Sequence, residues 1–488
     1  MTTSHRAGVL SGAIGFTSRA IVQIVLFGVT IIATRVLSIA DFGAYSLGSL
    51  FLVLARQLFY VGPYEYLLKS QDEANLSSAC FGANLVQATI LAALLSVIWL
   101  ASPLVFSTGT VTLILGLLIP SVFLVSTTAW YESVLLRNVR VRRYYASTLI
   151  GDIAGSAVAV ILLLRGFGVA SLVVQTYVRL LVLLALYVMA TGSSPSLRAG
   201  WGPTLAVLRW SQARYAAVLL NFTSAYGADL VLGVALSAQA TGLYRASNRI
   251  VSSLTDLFAQ PLQKIAQTNL SASYVRKQDM GTSWLKMLSG VGAIAWAGLL
   301  TLGFLAKDLV PFALGEKWAP AVPIVALFCV IKAFSLLDAV TTSFLVCHDR
   351  QRDMLRVQIA SAVSVITLGY AAARWGGGPE AVAIAVGLAS TAMSITYGVM
   401  VMRLSRAGGE ALLDLVRTSA SPVLSVAIGL LLLDLFAPTL SGLEAVAAGL
   451  AVAGTAFLIG AFSVRHRMLA AIGSLGHLPG PIASAHSQ

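Results

Sequence analysis

The sequence predicts an all-α polytopic membrane protein with about fourteen transmembrane helices and an internally duplicated helix bundle. Of the 488 residues, 58% are hydrophobic and 10% are charged, and long apolar runs recur along the chain. About 20 apolar residues span a bilayer as a helix, whereas membrane strands alternate polar and apolar residues. The second observation behind this prediction is an internal repeat.

The repeat consists of two motifs that each occur twice in the same order. Leu-Ser-x4-Gly-x-Tyr at 37–45 recurs at 236–244, and Arg-x-Arg at 140–142 recurs at 350–352. Each copy lies beside an apolar run. Duplicated helix bundles of this kind are typical of transporters whose two halves move against each other.

The individual helices follow from the apolar runs and the turn residues between them. Breaks are expected at Ala-Asp-Phe-Gly (40–43), Ser-Pro (102–103), Gly-Phe-Gly (166–168) and Gly-Gly-Gly-Pro (376–379). The predicted spans are about 10–36, 42–67, 79–101, 110–136, 145–165, 168–190, 212–236, 240–266, 284–306, 320–346, 355–374, 380–403, 417–437 and 442–464. The two longest connectors, 191–211 and 267–283, are expected to lie at the membrane interface.

These helices define the predicted domains and their orientation. We expect an N-terminal lobe at 1–192, a C-terminal lobe at 193–405, two further helices at 406–466 and a tail at 467–488. Most of the 32 lysines and arginines fall in the connectors of one side, which places both termini in the cytoplasm. The net charge of +13 is therefore a topology signal, and we predict no nucleic-acid partner.

Six cationic residues lie inside the predicted spans: Arg19, Arg56, Arg179, Arg245, Arg249 and Lys332. A charge at a helix centre costs about 2.5–3.5 kcal/mol, so each needs a partner, a wet cavity or the interface. Helical periodicity places Gln23 on one polar face with Arg19, and Asn248 on another with Arg245 and Arg249. We interpret Arg19, Arg56 and Arg249 as lining one positive cavity, with local pairing as the alternative, especially for Arg245.

The acids within the spans are candidates for cation coupling or for structural pairing. Asp256 shares the polar face of Arg249, so it is either a titrating group or the partner of an arginine. For Asp229 and Asp338 a structural role and a cation site both remain open, and Asp152 is expected to pair with Arg179. We predict no metal site, no cofactor and no enzymatic activity, because the chain lacks a P-loop and other catalytic motifs.

Two segments resemble a known family. Arg-Val-Leu-Ser-Ile-Ala-Asp-Phe-Gly-Ala-Tyr at 35–45 is similar to a segment of bacterial polysaccharide and O-antigen flippases. Asp-Leu-Val-Leu-Gly at 229–233, followed by Gly-Leu-Tyr-x-Ala at 242–246, resembles its second-half counterpart. These flippases belong to the multidrug/oligosaccharidyl-lipid/polysaccharide exporter (MOP) superfamily. The resemblance implies two pseudo-symmetric six-helix bundles plus two C-terminal helices, with a cationic cavity at the centre. The drug antiporters of this superfamily carry a functional acid on their first helix, whereas the first helix of this chain has Arg19 instead, which weighs against drug efflux.

The resemblance implies a flippase that moves an undecaprenyl-diphosphate-linked oligosaccharide across the bacterial cytoplasmic membrane. Its expected partners are this polyprenyl-diphosphate-linked oligosaccharide, membrane lipids and polysaccharide polymerase or assembly proteins. The sequence does not decide whether protons, sodium ions or the membrane potential drive transport. Two alternatives remain, a cation-coupled exporter of small amphiphiles or drugs, and a membrane polysaccharide polymerase or ligase.

Overall fold

The structure, a computed structural model, describes residues 21–70, 75–106, 109–276, 279–405 and 409–469. Every regular element within these ranges is a helix, which confirms the predicted all-α class. Contacts divide the chain into an N-terminal unit, Met1–Arg245, and a C-terminal unit, Ala246–Gln488. The predicted lobe boundary at 192/193 stays a prediction.

The described helices of the N-terminal unit are α1 (Ile21–Val36), α2 (Ile39–Phe59), α3 (Pro63–Lys69), α4 (Leu76–Val105), α5 (Gly109–Leu118), α6 (Ser121–Arg137), α7 (Val141–Leu164), α8 (Ala170–Thr191) and α9 (Trp201–Ala235). Helix α10 (Ala238–Val275) begins in this unit and continues into the next. The C-terminal unit continues with α11 (Met280–Leu314), a 3₁₀ turn (Glu316–Ala321), α12 (Val322–Ser335), α13 (Asp338–Cys347), α14 (Gln351–Trp375), α15 (Pro379–Ser405), α16 (Gly409–Phe436) and α17 (Gly442–Ser463).

The chain is a multi-pass membrane protein. By length and apolar composition, 11 segments of the described chain can cross a membrane, and the pair α5–α6, bent by 41°, makes up to 12. The other two predicted spans correspond to α1, whose described part is short, and to α10, which is not among these candidates. Helix α10 is long enough to span, but it carries several charged side chains.

Three of the predicted spans contain a break in the helix that was not predicted from the sequence, although Ile39–Lys69 and Glu316–Cys347 each still count as one apolar span. The predicted helix 42–67 is interrupted between α2 and α3, where Pro63 starts a new helix because proline cannot donate the next backbone hydrogen bond. The helix 110–136 is interrupted just before Ser121, beside Pro120. The third break separates α12 from α13, immediately before Asp338.

The predicted interfacial connectors are also partly helical. Helix α9 begins at Trp201, ten residues before the end of the predicted connector 191–211. Helix α10 continues to Val275, well into the predicted connector 267–283. Both helices are therefore longer than a bilayer-spanning helix needs to be, since about 20 residues suffice.

The first repeat motif begins a helix in the same way in both copies. Ser38 is the N-cap of α2, and its hydroxyl accepts a hydrogen bond from the backbone N–H of Asp41 at 3.0 Å. Ser237 precedes α10, and its hydroxyl accepts from the N–H of Ala240 at 3.1 Å. Both serines satisfy backbone donors that a helix start leaves without partners.

The second repeat motif forms matching turns before α7 and α14. Val139 and Asp349 have positive φ angles of 56° and 55°, and Arg140 and Arg350 are the next residues and the N-caps of the two helices. The Arg140 N–H donates to the Leu135 carbonyl at 2.9 Å, and the Arg350 N–H donates to the Leu345 carbonyl at 3.1 Å. The echoed sequence therefore forms the same turn twice, as a duplicated bundle requires.

Candidate functional site

The predicted site residues are distributed over both units, and Arg19 lies outside the described residues. The N-terminal unit holds Gln23 on α1, Arg56 on α2, Asp229 on α9 and Arg245 on α10. The C-terminal unit holds Asn248, Arg249 and Asp256 on α10, and Asp338 on α13. The convergence of Arg19, Arg56 and Arg249 on one cavity stays a prediction.

A polar cluster surrounds Arg56 inside the N-terminal unit. Glu132 on α6 is 5% exposed, and both of its carboxylate oxygens accept hydrogen bonds. Tyr60 Oη donates to Oε2 at 2.6 Å, and Tyr64 Oη donates to Oε1 at 3.1 Å. The guanidinium carbon of Arg56 lies 5.5 Å from the centroid of the Tyr60 ring, a cation–π contact. We call Arg56, Tyr60, Tyr64 and Glu132 the Glu132 cluster.

The break between α2 and α3 brings the two tyrosines onto one carboxylate. Helix α2 ends at Phe59, Gly62 adopts a φ of 67°, and α3 starts at Pro63, so that Tyr60 and Tyr64 flank the turn. A Cβ atom on Gly62 would lie 2.7 Å from the Ser211 hydroxyl of α9. The turn therefore requires glycine both for its backbone angle and for the close approach of α9.

Arg56 presents its charge at the accessible surface of this unit. Its side chain is exposed, whereas Glu132, which accepts a hydrogen bond from the Tyr60 hydroxyl, is buried. Among the described residues, no carboxylate lies within ion-pair distance of the Arg56 guanidinium. An exposed guanidinium without a direct counter-ion can bind carboxylate or phosphate oxygens through charge-assisted hydrogen bonds.

Sequence reasoning did not identify Glu132 as a site residue. It is the single acid of the apolar segment 121–137, and an ionisable residue inside a span is by itself a functional candidate. This signal was present in the sequence, but the partners Tyr60 and Tyr64 lie about 70 positions away, so only the fold connects them.

The predicted pair between Asp152 and Arg179 is confirmed. Arg179 Nε on α8 contacts Asp152 Oδ1 on α7, and the aspartate side chain is 4% exposed. Gly155 allows α7 and α8 to approach each other closely, since a Cβ at this position would lie only 2.9 Å from the Gln175 carbonyl oxygen. This pair is structural, since each charge already has its partner.

Arg245 and Asp229 also lie together, in the N-terminal unit. Arg245 Nη1 is 3.4 Å from Asp229 Oδ2, and the aspartate side chain is 1% exposed. The guanidinium carbon lies 4.8 Å from the centroid of the Tyr226 ring. The geometry favours local pairing of Arg245 over a free position on a cavity wall.

The remaining candidates form three groups in the C-terminal unit, one around each of Asp256, Asp338 and Asn248. The charges of Lys332 on α12 and Arg249 act on the exposed carboxylate of Asp256, the lysine more strongly. The second group joins α13 to α15, where Ser394 Oγ donates to Asp338 Oδ2 at 2.8 Å. On α10, Asn248 Oδ1 accepts a hydrogen bond from Ser252 Oγ at 3.1 Å.

Comparison with known proteins connects this architecture to a family. Residues 32–323 match the family model of a polysaccharide biosynthesis protein, and this segment covers more than half of the chain. The chain belongs to this polysaccharide biosynthesis protein family. The resemblance deduced from residues 35–45 and 229–246 is thereby confirmed at the level of the family.

Two curated proteins are similar to this member of the family over part of their length. The succinoglycan biosynthesis transport protein ExoT of Rhizobium meliloti is 25% identical over 311 residues, which are 62% of this chain and 61% of ExoT. An uncharacterized membrane protein in the cps region of Klebsiella pneumoniae is 23% identical over 159 residues, which are 33% of each chain. The chain thus matches less than two thirds of the length of either relative.

Two solved structures share the fold of this polysaccharide biosynthesis protein. The lipid II flippase MurJ in an inward closed conformation superposes with a TM-score of 0.74 at 14% identity, over 95% of this chain and 100% of that chain. An inward-facing multidrug resistance MATE family transporter of the MOP superfamily has a TM-score of 0.64 at 13% identity, over 79% and 94%. The chain therefore shares the helical fold of these two proteins.

Proposed function

We propose that this chain is an alternating-access flippase that moves a lipid-linked oligosaccharide from the cytoplasmic to the outer leaflet of the bacterial inner membrane. Membership of the polysaccharide biosynthesis protein family supports a role in polysaccharide assembly. The name of its relative ExoT, a succinoglycan biosynthesis transport protein, supports transport, and the fold shared with a lipid II flippase supports a lipid-linked cargo.

The observation that carries the substrate class is the exposed guanidinium of Arg56. A polyprenyl-diphosphate-linked oligosaccharide combines an anionic head, polar sugars and a lipid tail. Arginine binds diphosphate oxygens through several charge-assisted hydrogen bonds, and the tyrosine beneath Arg56 keeps the guanidinium in place. The tail can stay in the bilayer while the head crosses through the protein.

The direction of movement agrees with the charge of this cargo. A membrane potential that is negative inside favours outward movement of negative charge by about 2.3 kcal/mol per charge per 100 mV. In this proposal both termini lie in the cytoplasm, and polymerase or assembly proteins receive the cargo on the outer side. The protein acts as a transporter and not as an enzyme.

A second candidate function is export of small amphiphiles coupled to a cation. The structural similarity to a multidrug resistance MATE transporter favours it. Such an exporter would need an essential acid and would tolerate loss of Arg56, whereas a diphosphate carrier requires the arginine. Arg56 therefore separates the two functions.

The test is complementation of a strain that lacks the gene, with surface polysaccharide as the readout. We expect Arg56→Ala to reduce export at least tenfold with normal protein levels, and Arg56→Lys to restore it in part, because lysine keeps the charge but loses the planar fork. Arg165→Ala, at an exposed arginine that follows α7, is the matched control and should export normally. Normal export by Arg56→Ala would contradict the proposal and favour the amphiphile exporter.

A further inference from the structure

Glu132 is a buried carboxylate that Arg56 does not need in order to bind an anion. Its side chain is 5% exposed in a membrane-spanning unit, where an ionised group costs free energy. Tyr60 and Tyr64 satisfy its oxygens, but the neutral amide of glutamine could form similar hydrogen bonds. What the carboxylate adds to this position is a negative charge.

This charge acts on Arg56 from the hydroxyl end of Tyr60. Each of the two groups lies in the electrostatic field of the other, although they form no direct ion pair. Tyr60 connects Arg56 and Glu132, because its hydroxyl donates a hydrogen bond to the Glu132 carboxylate and its ring lies against the Arg56 guanidinium. The arrangement keeps the two opposite charges apart but close enough to interact.

Other charged groups around Arg56 are already neutralised. Asp152 on α7 also contributes to the field at Arg56, but it contacts Arg179 directly. Two further tyrosines lie near Glu132: Tyr144 forms a hydrogen bond with its carboxylate, and Tyr187 lies in its electrostatic field. Neither phenol adds a charge. Among the described residues, no lysine or arginine lies within ion-pair distance of Glu132, so its charge is available to oppose that of Arg56.

We propose that Glu132 is a fixed counter-charge that weakens the hold of Arg56 on an anionic head group, so that the head group is released after it has crossed. The inference rests on the proposed function of Arg56. The attraction between an arginine and a diphosphate is screened less in a membrane-spanning unit than in bulk water, so such a site holds an anionic head group tightly. A transporter has to bind its cargo and also release it, and a nearby negative charge lowers the affinity without removing the donors.

The direct test is Glu132→Gln in the full-length protein, purified in detergent, with farnesyl diphosphate as the probe. Glutamine keeps the shape and a hydrogen-bonding group but removes the charge. We expect the Kd to fall about tenfold, which corresponds to about 1.4 kcal/mol, together with slower dissociation and reduced export in cells. Farnesol, which lacks the diphosphate, should bind both proteins alike.

Two controls test whether the change in Kd depends on the interaction between Glu132 and Arg56. Asp434→Asn removes one negative charge from an exposed ion pair with Lys307 in the C-terminal unit and should leave the Kd unchanged. In an Arg56→Ala background, Glu132→Gln should no longer tighten binding, because the interaction between the two charges is already absent.

A second variant keeps the test decisive if Glu132→Gln does not fold. The triple variant Glu132→Met, Tyr60→Phe and Tyr64→Phe removes the charge together with the hydroxyl groups of Tyr60 and Tyr64 that donate to it, and it retains the ring beneath Arg56. It should bind farnesyl diphosphate more tightly than the wild type does.

If the variants that remove the Glu132 charge bind farnesyl diphosphate as tightly as the wild type or more weakly, the proposal that Glu132 is a counter-charge is wrong. If the wild type and Arg56→Ala bind farnesyl diphosphate equally, the proposed function of Arg56 fails instead, and the counter-charge fails with it. The two failures are thus distinguished by the single variant Arg56→Ala.

Discussion

Gly43 on α2 and Gly242 on α10 lie backbone to backbone within the N-terminal unit, and they occupy the same position in the two copies of the repeat. A Cβ on Gly43 would lie 1.7 Å from the Ala238 carbonyl oxygen, and one on Gly242 would lie 2.4 Å from the Ile39 carbonyl oxygen. The repeated motif therefore contains glycine because its two copies pack against each other, and no side chain fits between them.

The first prediction concerns this contact. We expect Gly43→Ala to lower the free energy of unfolding by about 3 kcal/mol, at the upper end of the cost of overpacking, because the clash is with backbone. Thermal unfolding of the purified protein measures the effect. Gly28→Ala is the matched control, since its Cβ would meet nothing within 4 Å. Equal melting temperatures of the two variants would contradict the contact.

The second prediction concerns the turn before α7. Val139 is 79% exposed and has a φ of 56°, a conformation that costs a side chain other than glycine about 1–2 kcal/mol. Asparagine tolerates it better, so Val139→Asn should stabilise the protein by about 1 kcal/mol. Asp349→Asn, at the equivalent turn with a φ of 55°, should change little, and a lower melting temperature for Val139→Asn would show that the valine is not strained.

Much of the fold could be predicted from the sequence because it depends on local patterns. Apolar length identified the membrane-spanning class, and the repeat at 37–45 and 236–244 became two serine-capped helix starts. The three helix breaks, which lie between α2 and α3, between α5 and α6, and between α12 and α13, were missed. Hydropathy is averaged over a window and does not detect a bend of 41° in an apolar segment.

The candidate site could be predicted only in part. Arg56 and Asp152 were identified because a charge inside an apolar span is visible in the sequence, and Arg179 is in the next helix along the chain. Glu132 was not linked to Arg56, because Tyr60 connects them across 72 positions and tyrosine carries no signal of its own in an apolar segment.

The third prediction separates the structural pair from the surface pairs. Asp152→Asn leaves the partly buried Arg179 without its counter-ion and should cost about 3 kcal/mol, the lower end of the range for breaking a buried pair, which lowers protein abundance in the membrane. The double variant Asp152→Asn with Arg179→Gln should recover most of this loss. By comparison, Asp434→Asn breaks an exposed pair and should cost at most about 1 kcal/mol. Failure of the double variant to recover would contradict the pairing.

The fourth prediction concerns orientation. Single cysteines at Asn138 and Phe167, both exposed in the turns at either end of α7, should be labelled from opposite sides of the membrane. The background replaces the native Cys80, Cys329 and Cys347. An impermeant maleimide should reach Phe167→Cys in intact cells and Asn138→Cys only after permeabilisation, because the arginine-rich turn at 137–143 is expected on the cytoplasmic side. Labelling of both sites in intact cells would contradict this topology.

The fifth prediction concerns the drive for transport. The exposed carboxylate of Asp256 lies in the field of Lys332 and Arg249, so a proton or cation that binds there changes the charge balance of α10. We expect Asp256→Asn to abolish polysaccharide export while the protein accumulates normally, because the amide keeps the shape but can neither take up a proton nor pair with a cation. Asp353→Asn, at an aspartate that bridges two arginines at the start of α14, is the control and should export normally. If Asp256→Asn is fully active, cation binding at this residue does not drive transport, and the membrane potential acting on the anionic cargo becomes the better explanation.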